Sequence, residues 1–253
     1  MELEIWQGLF LLFAGCIAGF LNVMAGGGSL LTVPIMVFMG IPGPVANGTN
    51  RIGILAQNIT SVITFFRKGF SDFKLSLSLA AMALPGSISG AFLGSRFEGV
   101  WFNRTLALIM IGVMIIMAVD RKPKGKILSS TREISTARLV AGHLLMVGVG
   151  FYGGFIQVGV GFIIMPVLNR VLGLDLVRTN MHKVFIVGVY TIVALIVFAS
   201  QVQILWFLGA CLAVGNSIGG WVGTHTSISK GEKAIKLVLN LVLMVFIIKL
   251  LFF

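Results

Sequence analysis

The chain has 253 residues, of which 57% are hydrophobic and only 11% are charged, and its mean hydropathy is +1.04. This composition is too apolar for a water-soluble domain and predicts an integral membrane protein embedded in the lipid bilayer. A net charge of +11 can indicate nucleic-acid binding. Here the cations are scattered through short loops with no soluble domain to carry them, so we expect no nucleic acid as a partner.

Apolar segments in chain order predict eight helices that approach the ~20 residues needed to cross the hydrocarbon core. They lie at roughly residues 5–25, 47–66, 75–95, 100–119, 137–157, 183–199, 202–223 and 234–253. Two shorter segments, 30–40 and 162–172, follow glycine-rich breaks and are predicted to be half-helices or tilted crossings. Strands are disfavoured because the segments are long and do not alternate. We therefore predict an all-α, polytopic membrane fold.

The first break in this pattern is the run Gly26-Gly27-Gly28-Ser29. Glycine weakens a helix, and an interrupted helix leaves amides and carbonyls that hydrocarbon cannot satisfy. Broken backbone therefore survives at membrane depth only where it is buried in protein or lines a wet cavity. We predict that this break forms half of a solute site. The next helix opens with a polar run, Asn47-Gly48-Thr49-Asn50-Arg51.

The helix after Arg51 continues with polar residues at helical spacing, namely Gln57, Asn58, Thr60 and Ser61. These side chains either line a path or hydrogen-bond to a neighbouring helix, and we favour the second interpretation. Small residues follow at Gly86, Gly90 and Gly94, and the spacing recurs 129 residues later (219 − 90) at Gly215, Gly219 and Gly223. Because small residues let helices approach closely, both sets predict tight helix packing.

Residues 120–136 form a linker-like stretch with Pro123, Gly125 and a run of cations. The positive-inside rule places this basic loop in the cytoplasm. We predict that it joins a first membrane repeat, residues 1–119, to a second membrane repeat, residues 137–253.

The second repeat contains a weaker copy of the first break. Pro34 and Arg51 fall on Pro166 and Lys183 at one offset, because 166 − 34 and 183 − 51 are both 132. The same offset pairs Gly27 with Gly159, Ser29 with Gly161 and Asn50 with His182. A period above a hundred residues indicates a duplicated half rather than a solenoid.

Charge distribution predicts how the two halves are oriented. Counting ten crossings, the loops around Arg67, Arg170 and Lys230 all fall on the same side as the basic linker. Each half then has about five helical segments, an odd number, so the second half is inverted relative to the first. Inverted repeats whose broken helices meet near the midplane are typical of secondary transporters.

These features together resemble the sulfite exporter TauE/SafE family of membrane anion transporters. The resemblance rests on the segment 19–34 with its glycine triplet, Asn47 to Arg51, the hairpin 66–74, the glycine-spaced third span and the weaker second copy. It covers essentially the whole chain. It implies a multi-pass protein of the bacterial cytoplasmic (inner) membrane that exports sulfite, organosulfonates or related organic acids. The second break has Gly159-Val160-Gly161 in place of a full triplet.

The distribution of charged residues indicates an anion rather than a cation as the passenger. All eight acidic residues lie in or beside predicted loops, whereas a cation pathway would normally place a carboxylate inside the membrane. Arg51 and Lys183 remain, each near the start of a helix. Helix N-termini and close-approaching glycine amides attract anions, and Arg can hold an oxyanion with two parallel hydrogen bonds. The alternative is that both cations lie at the lipid interface and snorkel to headgroups.

We therefore predict a site for a small anionic substrate, with no catalytic residue, no metal and no cofactor. Its residues are Asn22, Gly26, Gly27, Gly28, Ser29, Asn47, Thr49, Asn50, Arg51, Gln157, Gly159, Gly161, Thr179, Asn180, His182 and Lys183. His182 is the embedded group that titrates nearest neutrality, which makes it a candidate for proton coupling.

The leading functional hypothesis is a transporter that works by alternating access between inverted halves. An anion channel is a close rival. An intramembrane enzyme would need a buried Asp pair, a Ser-His pair or clustered metal ligands, and none is recognisable in the sequence. A purely structural membrane subunit would not require duplicated cations beside duplicated helix breaks. A homodimer is kept as an open alternative.

Overall fold

The structure, a computed structural model, describes residues 5–97, 99–119 and 134–252, and every regular element in those residues is helical. The all-α prediction is therefore confirmed. The helices are α1 Ile5–Ala25, α2 Ser29–Phe38, α3 Gly43–Arg67, α4 Phe73–Ser95, α5 Gly99–Val119, α6 Thr136–Phe155, α7 Gly161–Pro166, α8 Leu176–Gln201 and α9 Trp206–Phe252. A π-helical turn, Val167–Val171, extends α7. Most of the predicted basic linker, residues 120–133, lies outside the described residues.

Local sequence explains where several helices begin and end. α1 ends where Gly26 adopts a left-handed φ of +79°, a conformation that costs a residue without a side chain little. Asp72 begins α4, because its carboxylate accepts a hydrogen bond from the Leu75 amide at 3.1 Å. Asp175 begins α8 in the same way, accepting from the amides of Val177 and Arg178.

Two predicted segments are joined in the structure. The last two sequence segments, 202–223 and 234–253, belong to α9, which is kinked at Gly231 with φ 59° and ψ −152°. Because few residues other than glycine adopt that conformation, the kink follows directly from the sequence. The two short predicted segments, in contrast, are confirmed as the short helices α2 and α7 with its π-helical turn.

Several helices have the length and composition of membrane spans. In the described part of the chain, α1, α4, α6 and α8 are long and apolar enough to cross a bilayer. Large apolar side chains such as Phe13 and Ile196 are exposed on the outer surface, where a soluble protein would expose polar groups. The chain is a multi-pass membrane protein.

Helices of one half of the chain pack against helices of the other half. α1 of the first half packs against α9 of the second, and α6 of the second half packs against α4 of the first. Glycines permit both contacts: a β-carbon at Gly90 would lie 2.1 Å from the carbonyl oxygen of Phe151, and one at Gly219 would lie 1.9 Å from that of Cys16. The predicted tight packing is confirmed. That the halves are oppositely oriented in a membrane stays a prediction.

Candidate functional site

The two glycine-rich breaks meet inside the protein. The first break, residues 26–28, separates α1 from α2, and the second break, residues 156–160, separates α6 from α7. The Gly161 amide donates to the Gly26 carbonyl at 3.1 Å. A β-carbon on Gly26 would lie 2.3 Å from the α-carbon of Gly161, and one on Gly161 would lie 2.0 Å from that of Gly26. Only paired glycines permit this approach. We call this contact the junction.

Arg51 lies beside the second break. Its guanidinium is fully buried and donates from Nη1 to the Gly153 carbonyl at 3.1 Å and from Nη2 to the Gly154 carbonyl. One turn earlier on α3, the Asn47 amide donates to the Phe155 carbonyl at 2.9 Å. These three carbonyls are among the last in α6, which have no partner within the helix. The guanidinium carbon also lies 4.4 Å from the centre of the Phe198 ring, within range of a cation–π contact.

Lys183 lies beside the first break. Its ammonium donates to the carbonyls of Asn22 at 3.0 Å and Val23 at 2.7 Å, near the end of α1, and to the side-chain oxygen of Asn180 at 2.9 Å. The sulfur of Met165 lies 3.8 Å from the ammonium. Lys183 is 3% exposed, so this cation too lies within the protein.

Each of the two cations therefore binds the half of the chain to which it does not belong. Arg51 of the first half bonds to Gly154, and Lys183 of the second half bonds to Asn22, which is the position that Gly154 matches at the 132-residue offset (154 − 132 = 22). The repeat seen in the sequence is thus also a repeat of contacts. The alternative hypothesis, that both cations snorkel at the lipid interface, is wrong because both side chains are buried.

Several polar atoms around this region are buried without a hydrogen-bond partner. In the described residues they include the Arg51 Nε, the Asn47 Oδ1, the Gln157 Oε1 and the Tyr190 hydroxyl. Tyr190 packs against Gly153, whose carbonyl Arg51 binds, because a β-carbon on Gly153 would be 2.5 Å from the Tyr190 hydroxyl oxygen. Buried polar groups are normally paired, so such a concentration of unpaired ones indicates a place where a polar ligand or water binds.

A known family matches nearly the whole chain. The family model for the sulfite exporter TauE/SafE matches residues 11–250. The chain belongs to the sulfite exporter TauE/SafE family. TauE/SafE proteins are membrane transporters, and the described helices agree with that class.

Curated relatives carry the same general description. A probable membrane transporter protein, ORF9, from a Sinorhizobium species is 29% identical over 96% of this chain and 91% of its own length. The probable membrane transporter protein YfcA of Escherichia coli K12 is 28% identical over 96% and 88% of the two chains. YunE of Bacillus subtilis, described in the same words, is 22% identical over 93% and 94%. No solved structure matches the chain.

In this TauE/SafE protein, other predicted site residues surround the junction without touching the two cations. A β-carbon on Gly27 would lie 2.8 Å from the Phe162 ring, and one on Gly28 would lie 2.1 Å from the Ala18 carbonyl. Gly159 has a left-handed φ of +69°, which shapes the second break. Ser29, the first residue of α2, is buried. These residues let the breaks close around one another.

A second group of predicted residues makes hydrogen bonds to neighbouring helices or, for Thr179, to the loop before its own helix. Asn50 accepts from Thr32 at 2.7 Å, and Thr49 accepts from the Leu205 amide at 3.1 Å. Asn180 donates to Ser227 at 3.2 Å, and Thr179 donates to the Leu174 carbonyl at 3.5 Å. His182 pairs its Nδ1 with the Ser76 hydroxyl at 2.8 Å. The proton-coupling role of His182 stays a prediction.

Gln157 has the least ordinary backbone of the predicted residues. Its φ is +60°, a left-handed value that residues with side chains rarely adopt, and its side-chain nitrogen donates to Thr191 at 2.9 Å. Left-handed non-glycine residues are concentrated at functional sites, where the surroundings hold them in place. At the 132-residue offset Gln157 matches Ala25, the last residue of α1, so the left-handed residue of the second break comes one position earlier than Gly26 does in the first.

Sequence reasoning missed two residues of this region, Tyr190 and Phe198. Both lie in the apolar run of α8, where nothing in the local pattern distinguishes an aromatic residue that faces Arg51 from one that faces lipid. One signal was available for Tyr190. At the 132-residue offset it matches Asn58, whose side-chain nitrogen is also buried without a partner.

Proposed function

We propose that this TauE/SafE protein exports a small oxyanion, namely sulfite, an organosulfonate or a related organic acid, across the bacterial inner membrane. The substrate would bind at the junction, with Arg51 as its principal ligand. Lys183 would add positive potential and hold the first break in place. Asn47, Gln157 and Tyr190 would complete the polar shell around the anion.

One observation carries the proposal: Arg51 and Lys183 are buried cations with no carboxylate partner among the described residues. Asp72 and Asp175, the acidic residues whose side-chain contacts are described, bind helix amides in the hairpins instead. A buried charge is costly unless it is paired. Backbone carbonyls offset part of that cost, and an anionic substrate between the halves would offset more of it.

The cross-half hydrogen bonds suggest how access alternates. In this structure both cations are shut away from solvent, which suits an occluded state. A substrate oxyanion that accepts hydrogen bonds from Arg51 would compete with the carbonyls of Gly153 and Gly154. Because those bonds join the first half to the second, weakening them would free the two halves to move relative to one another, as inverted-repeat transporters do.

The test is flux through purified protein in proteoliposomes, screened with sulfite, sulfonates, sulfate and carboxylates. Arg51→Gln is expected to lower the rate for the best substrate roughly a hundredfold, because it removes a charge-assisted, two-pronged contact. Arg96→Gln is the matched control, since Arg96 is exposed in the loop after α4. Both variants should elute from a size-exclusion column at the wild-type volume and show the helical content of the wild type by circular dichroism.

Two results would contradict the proposal. Wild-type uptake by Arg51→Gln would remove Arg51 from the site. Large ohmic currents without saturation would favour the alternative of an anion channel over alternating access.

A further inference from the structure

A basic cleft lies between α3 and α9, beside the α3–α4 hairpin. Its volume is about 330 Å³. The polar and aromatic residues that line it are Thr60, Thr64, Arg67, Lys68, Trp221 and His225. The positive-inside rule predicts that this hairpin faces the cytoplasm.

The cations of this cleft have no partner in the part of the chain that the structure describes. Arg67 and Lys68 are exposed, and their side chains make no described hydrogen bond or ion pair. His225 packs its ring on Trp221 with 4.6 Å between ring centres, and its Nδ1 lies 3.1 Å from the Trp221 carbonyl, which directs its other nitrogen away from that carbonyl. None of the described residues that line the cleft carries a carboxylate. The hydroxyls of Thr60 and Thr64 donate to carbonyls of their own helix, at 2.9 Å to Ala56 and 2.7 Å to Thr60, so the unpaired cations are the groups that suit the cleft to an oxyanion.

A stripe of polar residues on α3 leads from this cleft toward the junction. Lys68, Thr64, Ser61 and Gln57 are spaced by four, three and four residues, which places them on one helical face. Ser61 is fully buried and its hydroxyl has no partner. At the inner end of the stripe, Gln57 accepts from the Asn22 side chain at 2.8 Å. The backbone carbonyl of that asparagine binds Lys183, so the stripe reaches the junction.

Gly220 of α9 faces the stripe at its inner end. A β-carbon there would lie 2.6 Å from the Gln57 side chain and 3.2 Å from the Ser61 hydroxyl. The absence of a side chain at this position keeps polar groups, rather than a methyl group, in contact between α3 and α9. On the same α9 face, the Asn216 side-chain oxygen is also buried without a partner.

The opposite end of the molecule is different. A cleft of about 540 Å³ there is lined by Asn103, Gln201 and Gln203 among apolar and backbone groups, and none of its described lining residues has a charged side chain. The charged cleft can concentrate an anion, because a cleft lined by one sign of charge raises the local concentration of its counter-ion. The described lining of the second cleft has no cations to do the same. Capture at one end and release at the other is the arrangement that export requires.

We propose that the cleft between α3 and α9 is the capture site for the substrate oxyanion. Arg67 and Lys68 collect the anion, which then passes along Thr64, Ser61 and Gln57 to the junction. This inference rests on the proposed export function. It adds a second anion site and a route, neither of which the junction itself requires.

The experiment compares initial rates of sulfite transport with substrate presented to either side of oriented proteoliposomes. Arg67→Gln/Lys68→Gln is expected to raise KM roughly tenfold for sulfite on the hairpin side, with kcat unchanged and a weaker dependence of KM on salt. KM on the other side should not change. Lys74→Gln/Lys230→Gln, which removes equal charge from exposed positions outside the cleft, should behave as the wild type does.

Lipid phosphate is a second source of the same oxyanion chemistry, and bilayer composition separates the two. The KM effect should persist in pure phosphatidylcholine. If the double variant loses only a response to added phosphatidylglycerol, the cleft binds lipid and the capture role is overturned. A wild-type KM in the double variant would also overturn it. If the double variant has a wild-type KM while Arg51→Gln is inactive in the same experiment, the capture role of the cleft fails and the proposed site at the junction still stands.

Discussion

Arg51 and Lys183 occupy matching positions in the two halves, yet their hydrogen bonding differs. Each binds carbonyls near the end of the other half's helix. Lys183 has three N–H groups and three oxygen acceptors within 3.0 Å, so its donors are all used. Arg51 has five N–H groups, and its Nε is buried without a partner. All three N–H groups of Lys183 are therefore hydrogen-bonded, whereas Arg51 retains an unpaired N–H donor at Nε.

The polar groups around the two cations differ as the cations do, with unpaired groups near Arg51 and paired groups near Lys183. Unpartnered polar atoms of Asn47, Gln157 and Tyr190 lie near the break that Arg51 contacts. Around Lys183 the neighbours are paired, since Asn180 bonds both to the ammonium and to Ser227. A duplicated position has therefore diverged. One copy holds the backbone together, and the other also offers free groups to a ligand.

The largest effect is expected where the two networks meet. Gly161→Ala would place a methyl group 2.0 Å from the Gly26 α-carbon, so the two breaks must separate. Overpacking of this kind should cost about 3 kcal/mol of unfolding free energy, because rigid backbone cannot move aside as a flexible side chain can. Thermal unfolding in detergent micelles measures the loss.

Gly148→Ala is the matched control, because a β-carbon at this helical position meets nothing within 4 Å. It should leave the unfolding temperature unchanged or raise it slightly, since alanine favours helix. Equal unfolding temperatures for the two variants would show that the junction is looser than the structure indicates. The two cations could then not be compared as parts of one tightly packed site.

The next prediction separates the two cations directly. Lys183→Met should lower the free energy of unfolding by about 2 kcal/mol, because the carbonyls of Asn22 and Val23 lose their buried partner. The folded protein should still bind anion, with KM changed less than about threefold, a shift worth under 1 kcal/mol. Arg51→Gln, in contrast, should lose transport. Thermal unfolding and sulfite flux on the same preparations provide both measurements.

The opposite pattern would remove the distinction. If Lys183→Met abolished anion binding in a protein of unchanged thermal stability, Lys183 would be the ligand and the saturated hydrogen bonds of this structure would not be those of the bound state.

Much of the fold followed from the sequence, because helix breaks and repeats are local or periodic patterns. The triplet beginning at Gly26 ends α1, and the 132-residue offset alone pairs Arg51 with Lys183. The sequence could not show that each cation binds the other half's carbonyls. That contact depends on how α3 and α8 cross the ends of α6 and α1, and no local pattern encodes the crossing.

The site was predicted less completely, for a related reason. Polar residues such as Asn47 stand out in a membrane sequence, and the structure places Asn47 beside Arg51. Thr49 also stands out, but it points toward the start of α9. Polarity marks a residue as buried in protein without saying which neighbour it meets. Tyr190 illustrates the converse, since nothing in an apolar helix shows that the hydroxyl of one aromatic residue lies beside Gly153.

The smallest effect is expected from a single hydroxyl. Tyr190→Phe removes a buried group that has no partner in this structure, so the unfolding temperature should stay the same or rise. If the hydroxyl donates to the bound anion, KM for the transported substrate should rise roughly fivefold, as expected for one lost hydrogen bond of about 1 kcal/mol. Flux and thermal unfolding on the same preparation are the measurements.

Ser87→Ala is the control for that hydroxyl, because the Ser87 side chain donates to the Tyr190 backbone carbonyl at 3.2 Å. It should cost about 1 kcal/mol of stability and leave KM unchanged. Two variants of neighbouring hydroxyls would then show opposite outcomes, one in affinity and one in stability. Tyr190→Phe could instead lower stability and leave KM unaltered. The unpartnered atoms around Arg51 would then be binding ordered water, and the unpaired Nε–H of Arg51 would not be a substrate contact.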